Sequence, residues 1–243
     1  MPVLAVVTLV VLALVLGVLG RTLGRVLFSE NPRYTIRTYD LQSDGRLEER
    51  HMREYAQLDQ YRNLFALRPR DIRQRLESVP IVREVHVRRQ LPDTLSIRVR
   101  ERVPLASLPR TQGNWAQAVD REGVVLGPTP WNPALPVIEG LGAAGIRPGS
   151  RLPGGLAEEA LEIIDLCRQP HLGRHLPIRS IHVGNPERLR MVLTDGTRVD
   201  LGRDRIEWRL RSTAAIRQHA LESGRRVVSI DATRDQNFPV VYD

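Results

Sequence analysis

The feature that most constrains this chain is an N-terminal run of residues without a charged side chain. Residues 2–20 contain no Asp, Glu, Lys, Arg or His, and nearly all of them are Val, Leu, Ala or Gly. As a helix, residues 3–20 would be roughly 27 Å long, which just spans the hydrocarbon core of a bilayer. The rest of the sequence is polar and rich in arginine. The pattern therefore predicts one membrane helix that carries a large domain on one side.

Two interpretations of this run remain open: an uncleaved anchor and the core of a cleaved signal peptide. We favour the anchor, because no basic residue precedes the run and because residues 18–21 make a poor small-residue cleavage site. Arg21, Arg25 and Arg33 follow the run, and the positive-inside rule alone would therefore keep the domain in the cytoplasm. Long domains cross membranes largely regardless of charge, so this rule does not decide the orientation.

The basic composition does not by itself indicate a nucleic-acid-binding protein. The chain has 36 basic and 28 acidic residues and a net charge of +8, and every basic residue is arginine. The arginines alternate with Asp and Glu instead of forming blocks, which favours a solvated basic surface over nucleic-acid recognition. The single cysteine, Cys167, excludes an internal disulfide and is expected to be a buried, inert thiol.

Periodicity in the first part of the domain predicts the order strand, helix, helix, strand, strand. Pro69 suits the first turn of the second helix, because its missing N–H has no partner there. Alternating apolar and polar residues in the last two strands indicate a sheet with one wet face. The predicted elements are strand 34–41, helix 47–58, a helix from Pro69 that ends at 78–80, strand 82–89 and strand 94–102.

The second part is richer in hairpins. Asp195-Gly196 is a strong hairpin signal between two of its strands. In the last helix, Ile206, Leu210, Ala214 and Leu221 fall near one face, with Arg209, Arg211 and Arg217 on others. The predicted elements are strands 115–120, 124–126, 178–183, 189–193, 198–201, 227–230 and 239–242, and helices 156–167 and 206–221.

No set of residues in the sequence predicts catalysis, a metal site or a cofactor site. Residues 140–145 match the letters of a dinucleotide-binding loop, but prolines follow where the motif needs a helix. His171 and His175 have helical spacing, but they flank Gly173 without a third ligand nearby and indicate a surface loop. The three tryptophans, Trp115, Trp131 and Trp208, are expected in the core or at a domain junction.

Several phrases of the sequence resemble the FtsQ/DivIB family of bacterial division proteins, in that family's order. Pro80 and residues 85–95 and 99–106 resemble the end of the family's POTRA domain. Later phrases, at residues 118–126, 135–140, 195–202 and 230–231, resemble its C-terminal domain. The family's Asp-Leu-Arg phrase is Asp231-Ala232-Thr233 here, and the tyrosine that follows in some members falls on Arg234.

The resemblance implies an α+β fold in three parts. These are a single N-terminal transmembrane helix (1–25), a POTRA domain of order β-α-α-β-β (33–103) and a mixed or antiparallel β-domain with flanking helices (104–243). It also implies a non-catalytic scaffold without a cofactor. The protein would lie in the cytoplasmic (inner) membrane, with most of its chain outside the cytoplasm. It would bind FtsB- or FtsL-type partners and help to recruit or regulate septal peptidoglycan synthesis.

The predicted partner site is the edge of the last strand. An edge strand has unpaired N–H and C=O groups, to which a partner segment can add a strand. An ordinary edge strand blunted by Pro239 is the alternative. We also expect the POTRA domain to be a possible contact for other division proteins. The predicted partner-binding residues are Val227, Ser229, Arg234, Phe238, Val240, Val241 and Tyr242.

Two other functions remain as alternatives. One is a different POTRA-containing envelope protein-assembly or secretion factor, although that class normally carries a transmembrane barrel. Residues 104–243 have too few strands of about ten residues for such a barrel. The other alternative is an anchored hydrolase or DNA-binding protein, for which the sequence offers no catalytic set and no basic block.

Overall fold

The computed structural model describes residues 2–110, 113–142 and 145–243. The chain folds into two compact units, Met1–Glu101 and Arg102–Asp243, each with its own hydrophobic core.

The first unit begins with helix α1 (Pro2–Gly24), which continues into a π-helical turn, Arg25–Ser29. The segment Leu12–Ser29 has a mean hydropathy of 1.6, and none of it is buried against the rest of the protein. By length and composition, this helix is able to cross a membrane.

The remainder of the first unit is a three-stranded sheet covered by two helices. The strand order is β1-β3-β2, with β1 parallel and β2 antiparallel to the central β3. This arrangement confirms the predicted strand–helix–helix–strand–strand order. The elements are β1 (Thr38–Ser43), α2 (Glu49–Ala56), α3 (Pro69–Glu77), β2 (Val82–Gln90) and β3 (Thr94–Glu101), with 3-10 turns at Pro32–Tyr34 and Leu58–Gln60.

Local sequence explains where these elements begin. Pro69 occupies the first turn of α3, and Ile72 and Leu76, one helical turn apart, are fully buried. The first strand starts at Thr38, four residues later than the predicted start at Tyr34. The delay follows from Asn31, whose side chain accepts a hydrogen bond from the Arg33 N–H and caps a 3-10 turn there.

The second unit is a nine-stranded sheet with its longer helices on one face. The strand order is β12-β11-β10-β9-β8-β7-β4-β5-β6. The elements are β4 (Pro104–Ser107), β5 (Trp115–Asp120), β6 (Val125–Pro130), β7 (Val137–Glu139), α4 (Leu156–Cys167), α5 (Pro170–Gly173), β8 (Ile178–His182), β9 (Arg188–Leu193), β10 (Arg198–Gly202), α6 (Ile206–Glu222), β11 (Val227–Ala232) and β12 (Val240–Tyr242).

The two long helices explain two of the three parallel strand pairs in this mixed sheet, and the third, between β4 and β7, encloses the hairpin of β5 and β6. Strands β7 and β8 are parallel neighbours joined through α4, and β10 and β11 are parallel neighbours joined through α6. A parallel pair needs such a crossover, whereas antiparallel neighbours such as β9 and β10 need only a hairpin. After β11 the chain turns back, so the final strand, β12, becomes the outermost strand of the sheet.

Helix α6 corrects part of the sequence interpretation. Leu210 and Ala214 are buried as predicted, but Leu221 is 65% exposed. Arg209 and Arg217, which were assigned to other faces, are buried instead. A buried arginine needs partners for its charge and its N–H donors. Arg209 has a partner for every donor, whereas Arg217 has partners at Nη1 and Nη2 but none at its buried Nε among the described residues.

Candidate partner-binding edge

Strand β12 forms one edge of the nine-stranded sheet. Within the described residues it pairs on one side only, with the antiparallel β11. Ser229 lies opposite Val241, and Ile230 lies opposite Val240. The predicted last strand is therefore at the sheet edge, with Val227 and Ser229 on its inner neighbour β11 and Arg234 and Phe238 in the connection between the two strands.

The pairing register shows which main-chain groups of β12 point outward. The Asp231 N–H donates to the Pro239 carbonyl at 2.9 Å, and the Asp243 N–H donates to the Arg226 carbonyl at 3.0 Å. Hydrogen-bonding direction alternates along an antiparallel strand, so Val241 also faces β11. The N–H and C=O groups of Val240 and Tyr242 consequently point to the open side, and they offer four hydrogen-bonding groups to an added strand.

The opposite edge of the same sheet is built differently. It is formed by β6, in which Pro128 and Pro130 lack the N–H that an added strand would need. Proline in an edge strand protects it against pairing with another chain. On the β12 side the nearest proline, Pro239, precedes the strand, and its carbonyl is already bonded to β11. Strand addition is therefore easier at β12 than at β6.

Side chains of β12 alternate between the core and the solvent. Val240 and Tyr242 pack against the hydrophobic core together with Phe238, whereas Val241 is 55% exposed. The guanidinium of Arg225 lies 3.7 Å from the centre of the Tyr242 ring, a cation–π contact that holds the ring at the end of the strand. Packing of Val240 and Tyr242 against the core thus holds the strand in place, while Val241 is accessible to a partner.

The other predicted partner residues do not all lie on the open edge. Val227 is buried, and Ser229 is half-buried, one strand in from the edge. Arg234 is exposed in the connection before β12, and Phe238 is half-buried there. The structure therefore brings Phe238, Val240, Val241 and Tyr242 together at the edge, and it places the side chain of Val227 in the core.

Arg209 holds the connection that leads to β12. Its side chain is 1% exposed, and Nη1 donates to the carbonyls of Ala232 (2.7 Å) and Arg234 (2.5 Å). Nη2 donates to the carboxylates of Asp204 (2.7 Å) and Asp235 (2.9 Å), and Nε donates to the Asp204 carbonyl (2.8 Å). All five guanidinium donors are used, so the residue ties α6 to the end of β11.

A glycine makes room for this arginine. A Cβ atom added at Gly202 would lie 3.0–3.2 Å from the guanidinium atoms of Arg209, which is tighter than ordinary packing. The Leu-Gly phrase at the end of β10 is thus explained by close approach of a buried side chain. The sequence contains one signal for this site, Arg209 next to the core residue Leu210, but arginine is rarely buried, and helical spacing predicts Arg209 on another face than the apolar residues.

An aromatic pair flanks the same connection. The rings of Trp208 and Phe238 meet edge to face with their centres 5.5 Å apart, and the guanidinium of Arg205 lies 4.8 Å from the centre of the Trp208 ring. Trp208 is 41% exposed and Trp115 is 52% exposed, so neither lies in the core, which is one of the two positions that the sequence predicts for them. Trp208 extends the exposed apolar surface beside the start of β12.

A second buried arginine fixes the hairpin between β9 and β10. Arg217 donates from Nη1 to the Thr197 hydroxyl (2.7 Å) and from Nη2 to the Asp195 carboxylate (2.6 Å). The Thr197 hydroxyl in turn donates to the Val227 carbonyl at 3.0 Å. Partial burial of Asp195 raises its pKa, but the hydrogen bonds from Arg217 and Thr197 outweigh this effect and hold that pKa at about 2.

The candidate chemical groups of the second unit, which are His171, His175, Cys167 and residues 140–145, lie in separate parts of the chain. Among the described residues, no group of three or more His, Cys, Asp or Glu side chains is placed to hold a metal ion. His171 lies in the short helix α5, not in a loop, and His175 follows it. Burial raises the pKa of the Cys167 thiol to about 12, which keeps it protonated. Ala143 and Ala144, within the dinucleotide-like phrase, lie outside the described residues.

Comparison with protein families gives two matches. Residues 36–102 match the family described as POTRA domain, FtsQ-type, and residues 109–232 match the family described as Cell division protein FtsQ/DivIB, C-terminal. The chain belongs to the FtsQ/DivIB family. No curated protein matches the chain. The second match ends at residue 232, the last residue of β11, so β12 and the connection before it lie outside the matched region.

Membership in the FtsQ/DivIB family confirms the predicted resemblance and the α+β class with a POTRA domain and a C-terminal β-domain. It supports a role as a scaffold in the cell division machinery, the divisome. The apolar helix α1 fits a single-pass membrane protein. The domain limits at 1–25, 33–103 and 104–243 stay predictions, as do the partner-binding residues.

Proposed function

We propose that this chain is a non-catalytic scaffold of the divisome, whose open β12 edge binds an FtsB- or FtsL-type partner by strand addition. The observation that supports this most is the unpaired edge at Val240 and Tyr242, in a sheet whose other edge is blunted by proline. Main-chain hydrogen bonds would supply affinity, and contacts between Val241 and the partner's side chains would supply specificity. Through this contact the protein would help to recruit or regulate septal peptidoglycan synthesis.

The proposal also includes the location of the protein. Helix α1 would anchor it in the cytoplasmic membrane, with both folded units outside the cytoplasm. The POTRA domain is a second candidate contact for divisome proteins. Its edge strand β2 carries charged side chains that include Glu84 and Arg88, which favours a charged partner over an apolar one.

Substitutions of β12 test strand addition directly. Val240→Pro removes an outward N–H without removing a hydrogen bond to β11, so β12 is expected to stay in the sheet. Binding of a soluble FtsB- or FtsL-type segment to the full-length chain in detergent should weaken by at least about tenfold, through a lost hydrogen bond and a steric clash with the added strand. The matched control is Val240→Ala, which alters the same core-facing side chain but keeps the outward N–H, and it should bind within about threefold of the unaltered chain.

Fluorescence of the tryptophans, all three of which lie in the second unit, reports whether each variant is folded. A folded Val240→Pro protein that binds the partner as tightly as the unaltered chain would contradict strand addition at this edge. Failure of the unaltered chain to bind any FtsB- or FtsL-type segment would contradict the choice of partner.

A further inference from the structure

The segment that leaves the apolar helix is held firmly by the POTRA unit. The Asn63 side chain is buried, and its Nδ2 donates to the carbonyls of Phe28 (3.2 Å) and Asn31 (3.0 Å). Its Oδ1 accepts a hydrogen bond from the Phe65 N–H (2.8 Å), so every group of the amide is used in this connection. The main chain adds a hydrogen bond from the Leu64 N–H to the Tyr34 carbonyl (2.9 Å).

Three aromatic rings pack around the same connection. The ring centres of Phe28 and Phe65 are 5.1 Å apart, and those of Tyr34 and Phe65 are 4.9 Å apart. The guanidinium of Arg89 lies 5.2 Å from the centre of the Phe65 ring and donates to the Leu64 carbonyl at 2.7 Å. Aromatic pairs of this geometry contribute more to stability than the burial of their apolar area alone would give. The segment from the helix end to β1 is consequently part of the POTRA fold and not a free linker.

This connection places the POTRA unit near the membrane surface. Phe28 lies eight residues beyond Gly20, where the charge-free run ends, which is about 12 Å along a helix. The headgroup layer on each side of a bilayer is roughly 5–8 Å thick. A domain held through Phe28 therefore lies directly outside the headgroup layer, within reach of long arginine side chains.

The charge of this region is strongly positive. Residues 21–39 contain four arginines and one acidic residue, Glu30, which pairs with Arg25 at 2.8 Å. Arg21, Arg33 and Arg62 are exposed and form no ion pair with any part of the chain that the structure describes. The hydrogen bonds of Asn63 tie the segment after α1 to the POTRA unit. Because Arg62 precedes Asn63 and Arg33 precedes Tyr34, these bonds also hold the main chain at both arginines.

We propose that Arg21, Arg33 and Arg62 form a juxtamembrane surface that binds the phosphate groups of anionic phospholipids and seats the POTRA unit on the bilayer. Guanidinium groups bind phosphate oxygens in a bidentate manner, and each arginine near an anionic surface strengthens membrane attraction by about fivefold. The proposal depends on α1 crossing a membrane, and it does not depend on the partner of β12.

The test uses the full-length chain in neutral detergent with equal amounts of phosphatidylglycerol and phosphatidylcholine. Native mass spectrometry measures which lipid stays bound. We expect retention of phosphatidylglycerol over phosphatidylcholine by about tenfold or more, and a loss of most of this preference in the double variant Arg33→Gln/Arg62→Gln. The matched control, Arg179→Gln/Arg198→Gln, removes two exposed arginines of the second unit that form no ion pair with the described residues, and it should keep the preference.

Three outcomes would overturn the proposal. Equal retention of both lipids by the unaltered chain would show that these arginines do not recognise the anionic headgroup. An equal loss in both double variants would show that net charge, not this surface, attracts the lipid. A separate arm adds inorganic phosphate at the same concentration as the lipid. Displacement of the lipid by inorganic phosphate would assign the surface to free phosphate, whereas retention supports a lipid headgroup at the bilayer.

Discussion

Removal of the Arg209 guanidinium should destabilise the second unit and loosen its open edge. Arg209→Met keeps the length of the side chain but removes all five donors. The carbonyls of Ala232 and Arg234 then lose their partner, and an unpaired buried acceptor costs about 1–3 kcal/mol. We therefore expect the free energy of unfolding to fall by about 2–5 kcal/mol, chiefly from the two carbonyls, because the carboxylates of Asp204 and Asp235 are more than half exposed and are solvated by water.

The same helix provides a control for this substitution. Arg211 is two residues away, and its side chain is 62% exposed with a single ion pair to Glu207. Arg211→Met should change the free energy of unfolding by less than about 0.5 kcal/mol. Urea unfolding of the full chain in detergent, followed by tryptophan fluorescence, measures the second unit alone, because every tryptophan lies there. Equal midpoints for Arg209→Met and Arg211→Met would refute the role assigned to Arg209.

Three further predictions concern other residues of the second unit. Cys167 should resist iodoacetamide in the folded protein and react once guanidinium chloride unfolds it, because burial raises its thiol pKa to about 12; rapid reaction of the folded chain would contradict this. The Asp195 pKa of about 2 lies below the ordinary value of 3.8, so its contribution to stability is present above about pH 4 and is lost as the pH falls towards 2. The unaltered chain should therefore lose more stability than Asp195→Asn over that range, by about 1 kcal/mol or less because the carboxylate is partly exposed, and parallel pH curves would refute this. Leu221→Ala should change the urea midpoint little, whereas Leu210→Ala should lower the free energy of unfolding by about 2–5 kcal/mol. A larger loss for Leu221→Ala than for Leu210→Ala would instead support the buried position of Leu221 that the sequence predicts.

Elements with a strong local pattern could be predicted from the sequence. Helix α4 has the predicted bounds, because its apolar residues recur at helical spacing. The hairpin at Asp195-Gly196 forms where predicted, with Gly196 at a φ of +88°, a conformation that glycine adopts without strain. These features depend on a few neighbouring residues, and the sequence contains those residues side by side.

Features that depend on distant contacts could not be predicted in the same way. Strand β7 has only three residues, too few for an alternating pattern, and it exists because it lies between β4 and β8. The burial of Arg209 and Arg217 depends on acceptors more than 20 positions away in the chain, such as the Ala232 carbonyl. Helical spacing alone cannot identify such partners, so it predicts these arginines on other faces of the helix than the apolar residues.

The candidate edge was predicted in part. The position of β12 at the end of the chain suggested an edge strand, and the strand order agrees. Which of its main-chain groups point outward depends on the register with β11, and so does the burial of Val227. Neither property follows from the sequence, because a shift of one residue exchanges the two sides of a strand.

Hydrogen exchange of individual amides, measured on the full-length chain with and without an FtsB- or FtsL-type segment, is the most direct test of strand addition. The Val241 N–H, which faces β11, should already be protected in the free chain. The N–H groups of Val240 and Tyr242 should exchange rapidly in the free chain and become at least about tenfold slower in the complex. Unchanged exchange at both residues in a saturated complex would show that the partner binds elsewhere.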